Sequence, residues 1–181
     1  MGIAVEHYII SSGLKEIIEG SAIRDEFKEV FACEFLYDAN DVAIWPKNVV
    51  NYTTKTQFVF RINKGVPDLS DDDTLNDYTP EEDRPVPFRN MIYVGDGLTD
   101  VPCMRLVKSS GGYSIAVYTD KSKVQSLLKN NRVNFIAPAD YSEGKELDEL
   151  VKDILIKIST EDKLAAFSKR QRVECDIQQN I

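Results

Sequence analysis

Short apolar runs alternate along the chain with segments in which apolar residues recur at helical spacing. The apolar runs end at turn-forming residues and therefore predict strands; they are Tyr8–Ile10, Val30–Tyr37, Val42–Trp45, Met91–Val94, Tyr113–Tyr118 and Asn134–Ala137. The helical spacing predicts helices at residues 14–19, 55–64, 100–109, 121–129 and 145–158. Strands that alternate with helices are typical of an α/β protein with a mostly parallel sheet covered on both faces. We therefore expect a doubly wound, Rossmann-like sheet.

Two segments depart from this alternation. The turn at Asp38–Asp41 joins the second and third strands into a β-hairpin inserted in the α/β pattern. Residues 66–84 contain eight acidic residues and almost no large apolar ones, which predicts a solvated loop or a partly disordered insert. A segment that binds a partner is the alternative interpretation of this insert. We expect residues 1–160 to form the core and residues 161–181 a loose polar tail.

Composition and charge limit the classes of function. The chain has 181 residues, enough for one domain with a real core. Its net charge of -8 argues against general nucleic-acid binding, which needs clustered lysine and arginine. No apolar run reaches the roughly 18 residues that span a bilayer, and the first residues show no pattern of a secretory leader. Three widely spaced cysteines without metal-site spacing indicate free thiols in a cytoplasmic protein.

The first candidate site is the segment Ser11, Ser12 and Gly13, where a predicted strand ends and a helix begins. A hydroxyl beside free helix N–H groups, with a glycine that permits close approach, can hold a phosphate group. Simple capping of the helix by Ser12 is the alternative. The segment is therefore a candidate phosphate site that needs support from elsewhere in the chain.

The second candidate is Lys55. Thr54 and Gln57 match a capping box, so we expect a helix that begins at Lys55 and ends at Gly65. A cation in the first turn of a helix interacts unfavourably with the positive end of the helix dipole. A residue that goes against such a local preference favours a functional interpretation. A solvated surface lysine is the alternative.

The third candidate is the turn Gly95–Asp100, which follows a buried strand and carries two carboxylates four residues apart, Asp96 and Asp100. Mg2+ prefers one or two carboxylates together with phosphate and water oxygens. Asp96 is placed to be such a ligand. Asp100 is a second ligand or, alternatively, the N-cap of the following helix.

These three segments, in this order, resemble the haloacid dehalogenase (HAD) superfamily of phosphohydrolases, and most closely its phosphoserine phosphatase-like branch. The resemblance covers roughly residues 8–158. Ser11 looks like the second motif of the family, with Ser12 as the alternative if the register shifts by one residue. Lys55 looks like the third-motif lysine, and Asp96 and Asp100 look like the fourth motif. The hairpin between the second and third motifs also fits this branch.

The resemblance implies a chemistry that suits these residue types. In the family, an aspartate attacks phosphorus to form an aspartyl-phosphate, and a second aspartate acts as acid and then base. Mg2+, the serine hydroxyl and the lysine ammonium stabilise the phosphoryl charge. By resemblance, Ser11 and Lys55 are catalytic, Ser11, Ser12, Gly13 and Lys55 bind phosphate, and Asp96 and Asp100 hold Mg2+. The implied substrate is a small phosphomonoester.

The first motif of the family, DxDx(T/V), has no counterpart here, because the ten residues before Ser11 contain no aspartate. In the family, the strand that carries this motif lies between the strands of the second and fourth motifs. We therefore expect a sheet that lacks its first central strand, in a chain that is truncated, mis-started or split. A missing N-terminal segment or a second chain would complete the sheet, and this chain alone should be inactive. The alternative function is a non-catalytic HAD-derived module that binds phosphate or a partner.

Overall fold

The computed structural model describes residues 3–179, and it describes side chains as far as Cys175. Residues 4–136 form one compact unit, and most of the remainder, from residue 137 on, forms a second. The boundary differs from the single core of residues 1–160 expected from the sequence. All candidate site residues lie in the first unit.

The first sheet has the strand order β1-β2-β3, with bounds His7–Leu14, Phe27–Tyr37 and Ala43–Asn48. Strands β1 and β2 pair in parallel, with Ile9 opposite Val30. Strands β2 and β3 pair antiparallel and form the predicted hairpin. The middle strand is buried at its centre, as expected for the apolar run that predicted it.

The second sheet has the order β4-β5-β6, with bounds Ile92–Gly95, Tyr113–Tyr118 and Phe135–Pro138. Strands β4 and β5 pair in parallel, from Ile92 opposite Tyr113 to Gly95 opposite Ala116. All but the last residue of β5 are buried. Every strand predicted from an apolar run is therefore present, within a few residues at its ends.

Within residues 3–179, six α-helices accompany the strands: α1 Lys15–Glu19, α2 Lys55–Lys64, α3 Asp72–Asn76, α4 Val101–Ser109, α5 Gln125–Lys129 and α6 Glu146–Gln179. Short 3-10 helices directly precede α4 and α5. Helix α2 ends at Gly65, whose positive φ of 69° gives the left-handed C-terminal cap that the sequence predicts. The buried apolar residues Val59 on α2 and Cys103 and Val107 on α4 belong to one cluster.

The α/β class is confirmed, but the strands form two three-stranded sheets and not the one doubly wound sheet expected. The division falls between β1 and β4, the strands that carry Ser11 and lead to Asp96. No strand of the described residues pairs with the open edge of either. The physical reason is that no strand of the described residues lies between β1 and β4 to join the two sheets by hydrogen bonds.

The acidic insert is more ordered than the sequence predicts. It contains α3 and a 3-10 helix at Glu81–Asp83. The Arg61 guanidinium, 2 % exposed as a side chain, donates to the carbonyl oxygens of Asp68 and Leu69 and to the Asp72 carboxylate. Lys64 Nζ donates to two further carbonyl oxygens of the insert. Most residues of the insert are exposed, as one of the two predicted alternatives, a solvated loop, requires. The hydrogen bonds from α2 add to those that the insert makes by itself, such as the one from the Thr74 N–H to Asp71 Oδ1.

The C-terminal region also differs from the prediction. Helix α6 continues to Gln179, so residues 161–179 are helical where a loose tail was expected. The expected part of the tail at residues 180–181 lies outside the described residues. Spaced charges such as Lys157 with Glu161 and Arg170 with Glu174 stand four residues apart on this helix, and such pairs each stabilise a helix by about 0.2–0.5 kcal/mol.

Candidate functional site

The centre of the candidate site is a buried ion pair that joins two distant parts of the chain. Lys55 Nζ donates to Asp100 Oδ1 at 2.7 Å. Lys55 begins α2, and Asp100 closes the turn after β4. The two residues are only 5 % and 6 % exposed. The interpretation of Lys55 as a solvated surface lysine is therefore wrong, since its ammonium is enclosed and paired.

Helix α2 begins as predicted, although the predicted capping box does not form. Thr54 is the N-cap, but its side chain makes no capping hydrogen bond. Asn51 organises the entry to the helix instead, because its Oδ1 accepts the N–H groups of Thr53 and Thr54. Thr54 Oγ1 in turn accepts the N–H of Asn51. These bonds fix the first turn, and with it the start of the Lys55 side chain.

Asp100 accepts hydrogen bonds at both carboxylate oxygens. Oδ1 accepts from the Tyr93 hydroxyl at 2.8 Å in addition to Lys55, and Oδ2 accepts from the Gly97 N–H at 3.2 Å. Burial, aided by the neighbouring Cys103 and Asp100, raises the pKa of Tyr93, so its hydroxyl stays a donor at neutral pH. Asp100 makes no side-chain cap to helix α4. The geometry makes Asp100 an anchor for Lys55.

Gly95 is required for Asp100 to approach β4. A Cβ atom at this position would lie 2.7 Å from Asp100 Cβ and 2.8 Å from Met104 Cε. Real Cβ atoms do not approach neighbours this closely, and Asp100 has no room to withdraw because it is held by Lys55, Tyr93 and Gly97.

We expect Gly95→Ala to destabilise the protein by about 1–3 kcal/mol, the usual cost of overpacking a core. The measurement is urea unfolding followed by far-ultraviolet circular dichroism. Gly97→Ala is the matched control in the same turn, because the nearest atoms to its Cβ would be Thr99 Oγ1 at 3.4 Å and Asp100 Oδ2 at 3.5 Å, which are ordinary contacts. Equal stability losses for the two variants would contradict the close approach at Gly95.

Asp96 differs from Asp100 in its surroundings. Its side chain is exposed, and within residues 3–179 it has no hydrogen-bond or ion-pair partner recorded. No group of three or more His, Cys, Asp and Glu side chains among the described residues could hold a metal ion by itself. A Mg2+ ion needs one or two carboxylates plus other oxygens. Asp96 fits such a role, whereas the oxygens of Asp100 are already engaged, so this chain offers an incomplete set of ligands.

The Ser11–Gly13 segment lies inside β1 and not at a helix N-terminus. Leu14 is the N-cap of α1, so Ser12 does not cap that helix. Ser11 Oγ accepts the N–H of Gly13 at 3.0 Å. Within the described part of the chain, no hydrogen bond joins Ser11 to Lys55, Asp96 or Asp100. The expected cradle of helix N–H groups is therefore absent from the structure at Ser11.

The strands that carry or precede these residues nevertheless pack against one apolar cluster. Ile10, next to Ser11 on β1, and Tyr93 on β4 pack against the same apolar cluster, which includes Val59 and Val107. Helix α2 packs against both β1 and α4, and α4 packs against β4. The candidate residues thus border one layer of α2 and α4.

Tyr93 is the site residue that the sequence did not reveal. It stands in the apolar run Met91–Val94, where its aromatic ring looks like an ordinary core residue. The tyrosine hydroxyl is the signal that could have marked it, because a buried tyrosine usually forms a hydrogen bond with a polar partner. Here that partner is Asp100.

Cys103, on the turn of α4 next to Asp100, is fully buried. Burial raises the pKa of its thiol to about 11. We expect Cys103 to resist thiol reagents at pH 8, because the thiolate is the reactive form, while the exposed Cys175 reacts freely. Mass spectrometry after timed alkylation measures both, and rapid modification of Cys103 in the folded protein would contradict this description of its surroundings.

Comparison with known proteins finds a similar protein, but that protein is itself uncharacterized. No family model matches the chain. An uncharacterized protein of Borreliella burgdorferi is 30 % identical over 161 residues, which cover 79 % of this chain and 55 % of that protein. The chain thus spans just over half the length of the curated relative it matches. Of the helices described, none is both long and apolar enough to cross a membrane.

Proposed function

We propose that this chain supplies most of the site of a HAD-like, Mg2+-dependent phosphohydrolase that acts on a small cytoplasmic phosphomonoester. The observation that carries the proposal is the buried pair of Lys55 and Asp100 beside the free carboxylate of Asp96. A lysine that starts a helix gains nothing locally from burial. Its enclosure at the end of a parallel strand, where α/β proteins bind ligands, favours a functional role.

Each residue has a distinct part in this proposal. Lys55 places a positive charge at the end of β4, where it balances phosphoryl oxygens. Asp100, with Tyr93 and the Gly97 N–H, holds that charge in position and is a positioning residue. We assign the hydroxyl groups of Ser11 and Ser12 to the phosphate, with Gly13 beside them; the Gly13 N–H already donates to Ser11 Oγ. Asp96 is the carboxylate that would hold Mg2+, and the ion, when bound, would neutralise charge on the substrate.

The nucleophile of the proposed reaction is not among the residues of this site. Lys55 and Ser11 can bind and orient a phosphate, but both oxygens of Asp100 are engaged in holding Lys55 and Asp96 is assigned to the metal. We therefore expect the chain alone to bind without turning over substrate. The alternative function, a non-catalytic module that binds phosphate, shares Lys55 and Ser11 but does not need Asp96 to hold a metal.

Magnesium binding at Asp96 distinguishes these functions. We expect millimolar Mg2+ to shift the amide resonances of residues 95–98 in a 15N–1H correlation spectrum, and the shifts to disappear in Asp96→Asn. Asp73→Asn, which removes an exposed carboxylate of the acidic insert, is the matched control and should respond as the parent does. If Asp96→Asn responds as the parent does, the metal role is wrong and the non-catalytic module is favoured.

A further inference from the structure

A cavity of about 400 Å³ lies in the first unit beside strand β2. None of its lining residues belongs to the site proposed for phosphate and Mg2+. The volume is within the range of pockets that hold small ligands, about 300–1,000 Å³. This cavity, which we call the β2 cleft, is therefore large enough for a ligand of its own. Its lining comes from residues 29–32 and Glu34 of β2, from residues 67–69 of the acidic insert, and from Lys15, Lys47 and Asn48.

One edge of β2 is open where the strand borders the cleft. Strand β1 pairs with the first part of β2, and β3 pairs with residues 34–37 on the opposite side. Ahead of residue 34, no strand of the part of the chain that the structure describes pairs with that opposite side. An additional strand therefore has an edge to join, in line with β3.

Two side chains occupy this edge in place of a strand. The Val30 N–H donates to Glu29 Oε1 at 3.0 Å, and the Ala32 carbonyl oxygen accepts from Asn48 Nδ2 at 2.8 Å. Val30 and Ala32 are only 2 % and 1 % exposed, and buried backbone groups need partners. An acceptor for Val30 and a donor for Ala32 are also what the backbone of a neighbouring strand offers. A bound peptide could therefore take over both hydrogen bonds.

The part of the cleft that the acidic insert supplies is held in place by Arg61. The buried guanidinium of Arg61 donates to the carbonyl oxygens of Asp68 and Leu69. Pro67 and Leu69 add apolar surface to the cleft. The cleft thus combines a strand edge with an apolar segment that a buried side chain fixes in position.

The two ends of this edge differ in charge. Glu29 lies at one end. At the other end Lys15 and Lys47 share the single carboxylate of Glu34, with Nζ–Oε distances of 3.6 Å and 2.8 Å. That end therefore has one positive charge in excess. The five steps from Glu29 to Glu34 cover about 16 Å at the rise of a strand.

We propose that the β2 cleft binds a short peptide with free ends, which adds to β2 as an extended strand. The peptide runs parallel to β2, with its amine toward Glu29 and its carboxylate toward Lys15 and Lys47. One of its carbonyl groups accepts the Val30 N–H, which releases the Glu29 carboxylate to pair with the amine. One of its N–H groups donates to the Ala32 carbonyl oxygen in place of Asn48.

The length and the ends of the peptide follow from this geometry. Three or four extended residues span about 10–14 Å, which fits between the two charged ends of the edge. An internal segment of a protein would form the same backbone hydrogen bonds but has no terminal charges for Glu29, Lys15 and Lys47. The opposite charges therefore favour a free peptide over a protein segment.

Titration of the 15N-labelled full chain with the tetrapeptide Ala-Val-Thr-Ala tests the cleft. We expect saturable shifts of amide resonances at residues 29–34, 47–48 and 67–69 in a 15N–1H correlation spectrum. The same peptide with an acetylated amine and an amidated carboxyl group should bind about tenfold more weakly, because two ion pairs at exposed positions are lost. Ala-Pro-Pro-Ala should not bind, since proline has no N–H to donate to Ala32.

Lys47→Met identifies the end of the cleft that receives the carboxylate. Since Lys47 is exposed, the variant should fold as the parent does, and we expect it to weaken binding of the free peptide by up to about fivefold, the value of one exposed ion pair. Binding of the end-blocked peptide should not change. Lys129→Met, at an exposed position on α5, is the matched control and should leave both affinities unchanged.

Three results would overturn the proposal. Shifts that are absent from residues 29–34 and 67–69 would show that the cleft does not take a peptide. Equal affinity for the free and the end-blocked peptide would favour a protein segment as the occupant. Equal weakening of both peptides by Lys47→Met would remove the role of the terminal carboxylate. The experiment needs neither Mg2+ nor phosphate, so its outcome is independent of the proposed function.

Discussion

Asp100→Asn is expected to lower the free energy of unfolding by about 3–5 kcal/mol, the usual cost of removing one partner of a buried ion pair. The substitution is nearly isosteric, so packing around β4 is retained and the loss is electrostatic. It leaves the Lys55 ammonium, 5 % exposed, without its carboxylate. Urea unfolding of the parent and the variant measures the difference.

The double variant Lys55→Met with Asp100→Asn is the informative companion. Because it removes the buried charge as well as its partner, we expect it to recover much of the stability that Asp100→Asn loses. Tyr93→Phe should cost less, about 1–2 kcal/mol, since Asp100 keeps its bonds to Lys55 and Gly97. If the single and double variants lose the same stability, Lys55 and Asp100 are not energetically coupled. That result would contradict the buried ion pair at the centre of the site.

Arg61→Met is expected to destabilise the protein by about 3 kcal/mol, because hydrogen bonds to a buried charged group are worth roughly 1.5–3 kcal/mol and several are lost at once. Methionine retains most of the apolar stem. The carbonyl oxygens of Asp68 and Leu69 lose their donor, and so does the Asp72 carboxylate. The acidic insert should then detach locally, before the sheets unfold.

Limited proteolysis and urea unfolding together measure this effect. We expect new cleavage within residues 66–77 in Arg61→Met under native conditions, where a loosened segment becomes accessible. Arg105→Met is the matched control, since Arg105 is exposed on α4. Unchanged cleavage and a stability within about 0.5 kcal/mol of the parent, as is usual for surface changes, would show that Arg61 does not hold the insert.

The strands and the course of the chain could be predicted from sequence because local signals determine them. Apolar runs such as Tyr113–Tyr118 and the Gly65 cap depend on neighbouring residues only. The entry to α2 was predicted correctly for a wrong reason, because Asn51 replaced the capping box. The length of α6 was underestimated, because its continuation rests on charge pairs and not on an apolar face.

Only part of the site could be predicted from the sequence, because the contacts between its residues depend on tertiary packing. Lys55 and Asp100 were named from their segments, but their mutual contact across 45 positions depends on how α2 meets β4. Tyr93 was missed because its partner is also set by tertiary packing. Ser11 was placed at a helix start, whereas β1 continues to Leu14. The short helices of the acidic insert were missed because part of its hydrogen bonds come from Arg61 and Lys64, outside the insert itself.

Hydrolysis of p-nitrophenyl phosphate in the presence of Mg2+ tests whether this chain can hydrolyse a phosphomonoester by itself. We propose that this chain binds and positions a phosphate group, while the nucleophile comes from a segment that carries the DxDx(T/V) motif. We predict no turnover above background for the chain alone, and Mg2+-dependent turnover, lost with Asp96→Asn, when an N-terminal segment with the DxDx(T/V) motif is supplied. Clear Mg2+-dependent turnover by the chain alone would contradict the proposal that this chain lacks its nucleophile.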